Sequence, residues 1–320
     1  MEYMVSIICT AYNHERYIRQ AIESFLAQKT NFKFEVLIND DASTDRTADI
    51  IREYEKKYPE IIFPVYQEKN LYSQGIKITP ILLERARGKY IAVCEGDDFW
   101  LYPYKLQKQV DFLEAHSDYS LCVHAGATAN EKGEILQFDK ISMGSEDHTV
   151  TMEELLDHRG FPTNAIVYPR AVRTDLEIPF QGNCVNGDYA QMFYLGSKGK
   201  VYYFAGKWSA YRVTSVGSIT DKYRQNVEKY KRDVDEHYRM MDRMDAYTNG
   251  EYHREIENHK MRILFGKAIG TADIKEAKKY SELYKGLSFN RKASLYLRHF
   301  GLRWVVDFVK SEKWLIWKRR

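Results

Sequence analysis

Four times between Val5 and Glu114 a short apolar run gives way to a segment with helical periodicity, and this alternation constrains the fold more than any other feature of the sequence. Val5 to Cys9 reads as a buried strand, after which Ile18, Ala21, Ile22, Phe25 and Leu26 keep the spacing of one helix face. Glu35 to Ile38 is a second strand, and Ile50, Ile51 and Tyr54 mark the inner face of a helix that Pro59 stops. Ile61 to Tyr66 is a third strand, followed by a helix from Thr79 to Arg87 that Gly88 closes. Tyr90 to Cys94 is the fourth; beyond it Pro103 stands where a proline opens a helix, with Leu106, Val110 and Leu113 at helical spacing. Strands that each return through a helix pair in parallel with right-handed crossovers. The expected class is therefore α/β, a mainly parallel sheet flanked by helices.

In such a sheet the strands leave at one edge, where open α/β folds bind their ligands. Three exit loops converge there: Thr10-Ala11-Tyr12-Asn13, Asn39-Asp40-Asp41-Ala42-Ser43-Thr44-Asp45 and Glu95-Gly96-Asp97-Asp98. The third loop puts three carboxylates into four residues. Ionised together they repel, and a hard divalent ion such as Mg²⁺ or Mn²⁺, shared with a diphosphate, is the natural partner. An isolated Asp-Asp pair before a helix is more often a cap on that helix. Convergence of polar loops on one edge is what makes a single site plausible here.

After Glu114 the pattern loosens. Tyr119 to His124 and Ala165 to Tyr168 read as strands, Thr151-Met152-Glu153-Glu154 as a capping box, and Asn186-Gly187-Asp188-Tyr189 as the start of a helix. Val201 to Phe204 and Trp208 to Val213 read as two further extended segments. From Thr220 strand signals vanish, and helices are expected at 222–247, 250–269, 272–285 and 290–318. The expected organisation is an α/β domain over 1–218, its halves 1–115 and 116–218, and a helical appendage over 219–320. The last stretch, 291–320, carries nine Lys/Arg against Asp307 and Glu312, interleaved with Trp304, Trp314, Trp317 and aliphatics. Such a helix suits an anionic membrane interface; packing on the α/β domain or on a second copy of the chain is the equal alternative.

A formal charge of +3 with abundant charge of both signs argues against a general polyanion binder, so no nucleic-acid partner is expected. Cys9, Cys94, Cys122 and Cys184 lie far apart and read as buried thiols. The N-terminus shows no basic segment followed by an apolar core, and no run of about 18 apolar residues occurs, which gives a cytoplasmic expectation with peripheral contact on the inner membrane face left open.

In order and spacing, Val5-Ser6-Ile7-Ile8-Cys9-Thr10-Ala11-Tyr12-Asn13, Ile38-Asn39-Asp40-Asp41-Ala42-Ser43-Thr44-Asp45, Glu95-Gly96-Asp97-Asp98-Phe99-Trp100, and Asn186-Gly187-Asp188-Tyr189 followed by Tyr211-Arg212 resemble the family 2 glycosyltransferases of GT-A fold. The resemblance covers about residues 4–216 and implies metal-dependent, inverting transfer of a sugar, with a UDP-sugar as donor, to a saccharide or lipid-linked saccharide acceptor in surface polysaccharide or glycoconjugate synthesis. It implies that Thr10 and Tyr12 line the nucleotide site, the tyrosine stacking on the base. Asp41 would accept from the base edge with Asp40 beside it; Glu95 would face the ribose or the metal shell. Asp97 and Asp98 would address ribose and Mn²⁺ or Mg²⁺, either of them as direct ligand, Arg212 would bind phosphate, and Asp188 would be the catalytic base. Two departures stand out. Glu95 replaces an Asp common in relatives, and Arg212 is followed by Val213-Thr214 where many relatives carry a His, so no third protein ligand is carried over. The rivals are a sugar nucleotidyltransferase, which Thr10-Ala11-Tyr12-Asn13 disfavours for want of glycine, and an inactive nucleotide-sugar-binding protein, which retention of Asp97, Asp98 and Asp188 disfavours.

Overall fold

The structure, a computed structural model, describes residues 3–157, 161–184, 187–213 and 227–300. The alternation forms as the periodicity requires: β1 (Val5–Ala11), α1 (Ile18–Leu26), β2 (Phe34–Asp40), α2 (Thr47–Lys57), β3 (Ile62–Tyr66), α3 (Ile78–Arg85), β4 (Tyr90–Val93) and α4 (Lys105–Ala115). These strands lie side by side in the order β3-β2-β1-β4, all parallel. Ile18, Ala21, Ile22 and Phe25 of α1 and Ile50, Ile51 and Tyr54 of α2 are buried in one core with Val5, Ile7, Val36 and Ile38 of the sheet. Burying a side chain of this size stabilises by about 1.5–3 kcal/mol, so this layer carries much of the stability.

The second half extends the same sheet. It adds β5 (Phe99–Trp100), β6 (Tyr119–Ala129), β7 (Ile135–Ile141), β8 (His148–Val150), α5 (Met152–Asp157), β9 (Val167–Pro169), α6 (Gly187–Gly196) and β10 (Lys200–Arg212). The order continues β4-β9-β6-β10-β5, with β7 on β6 and β8 on β10. The result is a mixed α/β sheet, mostly parallel by residue pairs.

Two segments differ from the sequence expectation. Val201–Phe204 and Trp208–Val213 are parts of one long strand, whose register against β6 shifts between Phe204 and Ser209. The residues between them form a bulge, where a Cβ on Gly206 would fall 2.0 Å from Trp208 Nε1. The other is β5, two residues too short for any periodicity, which pairs with Ser209 and Ala210 and fixes the chain just beyond Asp98.

The described residues form two compact units: one holds residues up to Gln181 and 187–213, the other 182–184 and 227–300. The second unit is helical, with α7 (Val227–Tyr247), α8 (His253–Gly270), α9 (Ile274–Lys279), α10 (Ser281–Lys285) and α11 (Phe289–His299). Lys260 pairs with Asp242, and Lys267 with Asp235, between α7 and α8. Ala268, Ile274, Ala277 and Leu295 form a small core of their own. No described helix is long and apolar enough to cross a membrane. From residue 301 the expected basic, Trp-rich helix lies outside the described residues. All four cysteines are buried as thiols, as expected.

Candidate active site

The loops leaving β1, β2 and β4 are tied into one surface. Gly96 N–H donates to Thr10 O at 2.9 Å, Asp41 N–H to Ala11 O at 3.0 Å, and Asn13 N–H to Ser43 Oγ at 3.0 Å. Thr44 N–H returns a bond to Asn13 Oδ1 at 2.8 Å, and Glu15 N–H donates to Asp45 Oδ2 at 3.0 Å. Both loops turn through the left-handed region, at Asn13 (φ 55°) and Ala42 (φ 57°). That conformation is costly for alanine, and such strain gathers at functional sites. Gly96 sits at a close approach: a Cβ there would meet Ile18 Cδ1 at 2.9 Å and His14 Nδ1 at 3.0 Å, and those side chains would have to give.

The acidic loop holds its three carboxyls in different environments. Asp98 is buried, its Oδ1 accepting from Arg212 N–H at 2.8 Å and its Oδ2 from Asn164 Nδ2 at 2.9 Å. Burial, then the charges of Asp97 and Glu95, raise its carboxyl well above the usual range. Glu95 is pushed up to about 7 by burial and by Asp97, with Asp188 adding to the rise. The Asp97 carboxylate is half-buried and accepts no hydrogen bond among the described residues. Two acids, Glu95 and Asp98, whose ionisation is held back by burial beside the carboxylate of Asp97 have the donor chemistry of a divalent cation site. Among the described residues no three His, Cys, Asp or Glu side chains form a ready-made cage, so ligand oxygens must complete the coordination.

Asp188 lies in the first turn of α6, exposed, with its Oδ1 accepting from Tyr189 N–H at 2.8 Å. Its charge reaches Glu95 and Tyr211, so the structure brings it to the acidic loop. Tyr211, beside Arg212 in the chain, is half exposed, and burial with four acids, Asp98 first, pushes its hydroxyl up to about 12. Strand alternation is the signal for it: Arg212 points inward, so its neighbour faces out. Tyr12, 43% exposed, offers a ring beside Thr10.

Asp41 and Arg212 also make contacts within the protein. Asp41 is buried, its Oδ1 accepting from Leu71 N–H at 2.8 Å and its Oδ2 from Tyr72 N–H at 3.0 Å. It anchors the loop after β3, while the buried Asp40 keeps Oδ1 without a partner. Arg212 is 4% exposed; Nε donates to Asp97 O, Nη1 to Asn130 O and Glu131 O, and Nη2 to Gln20 Oε1. Its guanidinium also lies over Tyr17 and Phe99. A donor set so fully used braces the acidic loop. Asn164 is a buried hub. It holds Asp98, accepts from Ser209 Oγ at Oδ1, and through its backbone oxygen accepts from Trp100 Nε1 at 2.9 Å.

The family model described as glycosyl transferase family 2 matches residues 6–172, more than half the chain and including all three strand-exit loops. The chain belongs to this family. An uncharacterized protein of Mycobacterium tuberculosis is 39% identical over 177 residues, 55% of this chain and 49% of that protein. The UDP-Glc:α-D-GlcNAc-diphosphoundecaprenol β-1,3-glucosyltransferase WfaP of Escherichia coli is 38% identical over 112 residues, 35% of this chain and 41% of that enzyme. The chain thus spans about half the length, or less, of these curated relatives. Among solved structures, the mannosyltransferase PcManGT of Pyrobaculum calidifontis, in complex with GDP-Man and Mn²⁺, is similar with a TM-score of 0.53 at 13% identity, over 95% of this chain and 86% of that one. At that identity the likeness shows the fold alone, and it agrees with the mixed α/β sheet described above.

Proposed function

We propose that this family 2 glycosyltransferase transfers a sugar from a nucleoside diphosphate, with UDP as the favoured carrier, to an acceptor hydroxyl with inversion at the anomeric carbon. The observation that carries the reading is the meeting of the β1, β2 and β4 exit loops with the N-terminal turn of α6 around Glu95, Asp97 and Asp98. Tyr12 stacks on the base beside Thr10, and Asp40, with its unpartnered oxygen, is better placed than Asp41 to meet a donor group on the ligand. Asp97 and Asp98 hold a divalent cation, Mn²⁺ or Mg²⁺, with Glu95 at its edge; when bound, it offsets the negative charge that builds on the departing diphosphate. Arg212 and Asn164 keep Asp98 aimed.

At Asp188 the carboxylate takes the proton of the acceptor hydroxyl as that oxygen attacks the anomeric carbon. The bond from this carbon to the diphosphate breaks with its electron pair on the diphosphate, from the face opposite the new bond. One displacement of this kind inverts the centre. WfaP's name, a β-linkage made from UDP-Glc on a diphosphoundecaprenol-linked sugar, supports both inversion and a lipid-linked saccharide acceptor here. Such an acceptor fits peripheral membrane contact through 291–320, and the product fits surface polysaccharide or glycoconjugate synthesis on the cytoplasmic face. The domain boundary belongs near residue 218, with the helical unit as an appendage.

The test is a panel of nucleotide sugars incubated with the full chain and Mn²⁺, read as release of nucleoside diphosphate. One UDP-sugar consumed in preference, with loss of turnover in EDTA, is expected. Equal activity in EDTA, or release of a nucleoside monophosphate, would overturn the reading.

A further inference from the structure

Behind the acidic loop lies a set of buried polar atoms that the proposed reaction does not use. Lys105, the first residue of α4, is fully buried, and its Nζ sits 4.2 Å from the centre of the Trp100 ring without a hydrogen-bond partner. Gln109 is one turn further along the same face of α4. Its Nε2 donates to Cys122 O at 3.2 Å and Ala165 O at 2.9 Å, which leaves Oε1 buried and unpartnered. Across from it on β6, His124 shares a strand face with Cys122. Its Nδ1 lies 2.8 Å from Ala125 O and must donate there, so Nε2 presents a lone pair, again buried without a partner. One ammonium donor and two acceptors thus stand between one helix and one strand, none close enough to satisfy another directly.

An unpaired buried ammonium is costly, and an unpaired buried acceptor costs about 1–3 kcal/mol. Water removes both penalties: a molecule that accepts from Lys105 and donates to Gln109 or His124 has the partner count usual for buried water. A charge kept here has a route to the active site. The ammonium faces Trp100, whose Nε1 donates to Asn164 O, and Asn164 Nδ2 donates to Asp98 Oδ2.

We propose that the α4–β6 interface is a hydrated ammonium site, in which ordered water shared by Lys105, Gln109 and His124 keeps Lys105 charged, and that Lys105 is a positioning residue that aims Asp98 through Trp100 and Asn164. The titratable groups facing Lys105 are His124 and Cys122 from β6 and Cys94 from the end of β4. Burial pulls the lysine down to about 7 against the pull of the Cys94 and Cys122 thiols, and burial together with the Lys105 charge holds His124 neutral, so water is what restores the charge. The part of this proposal that reaches Asp98 rests on the proposed nucleotide and cation site.

The wild-type test is NMR of the Lys105 side chain with a high-resolution structure of the full chain. The expected result is an ammonium that persists through pH 8, with ordered water within hydrogen-bond distance of Nζ; a neutral amine at pH 7, or a dry site, overturns the proposal. The coupling test compares Mn²⁺-dependent UDP affinity in Lys105→Met, Trp100→Phe and the double variant. Each single change is expected to weaken binding about tenfold, and the double change no more than the worse single, as a shared path requires. Additive losses, or wild-type affinity in Lys105→Met, overturn the positioning role. Failure of the wild type itself to bind UDP would instead count against the proposed function and leave the NMR and water tests standing.

Discussion

The two halves of the sheet are built by different rules, and the candidate site lies on the seam. In the first half each strand is followed by a helix, all neighbours are parallel, and registers run without a break. In the second half the strands meet in five antiparallel pairs, and β6 shifts register against both β7 and β10. The first half delivers most of the candidate site groups: Tyr12, Asp40, Glu95, Asp97 and Asp98 all leave its strands. Orientation comes from the second half, since Asp98 is held by Asn164 before β9 and by the backbone of Arg212 at the end of β10. A sequence can therefore display the chemistry of such a site while concealing what aims it.

Four substitutions or conditions probe that division of labour, in falling order of effect. Asp188→Asn, in the second half, should cut release of nucleoside diphosphate by about 10²–10⁴-fold, the usual worth of a general base, while UDP affinity by calorimetry stays within about twofold. A parallel loss of UDP binding would place Asp188 with the ligand-holding groups instead. Arg212→Met removes a brace buried between the halves. A loss of about 3–5 kcal/mol in urea unfolding is expected, because carbonyls and an Asp98 environment built around that cation lose their partner. Tyr12→Ala, in the first half, should weaken UDP binding by about 1–2 kcal/mol with unfolding free energy unchanged, as loss of an exposed stacking ring does.

The smallest effect is that of pH. Glu95 has its folded value raised to about 7 from an ordinary 4.5, so its contribution to stability is complete below about 4.5 and is lost as pH rises through 7. Without cation the melting temperature should fall on the order of a few °C over that window, and Mn²⁺ should reverse the fall while binding more tightly as the proton leaves. A flat profile in Glu95→Gln beside a sloping wild type identifies the group.

Legibility in sequence followed the same division. Four strands and their helices in the first half were readable because a helical return makes each strand a short apolar run bounded by polar loops. The helical unit was readable from spacing up to His299, with Asn249 and Gly250 at positive φ where a break was expected, except that the single helix expected over 272–285 is two, α9 and α10, parted at Tyr280. The long β10 was not, since Gly206 signals a break in any pattern and only the pairing with β6 shows it to be a bulge. Nor was β5. Among site residues, carboxylates announce themselves by crowding, whereas Asn164, through its side-chain amide, and Arg212, through its backbone N–H, hold a carboxylate 66 and 114 residues away, a separation no local pattern records. Asp41 was legible as an important acid but not as an anchor for the loop at Leu71 and Tyr72, because that loop has no periodicity to place it.

The central claim is that the seam between the halves binds a nucleoside diphosphate through a divalent cation held by the acidic loop. Calorimetric titration of UDP into the full chain, with Mn²⁺ and with EDTA, beside Asp97→Ala, tests it most directly. The account predicts binding that requires Mn²⁺ and falls at least tenfold in Asp97→Ala. Equal UDP affinity in EDTA, or in the variant, would contradict it.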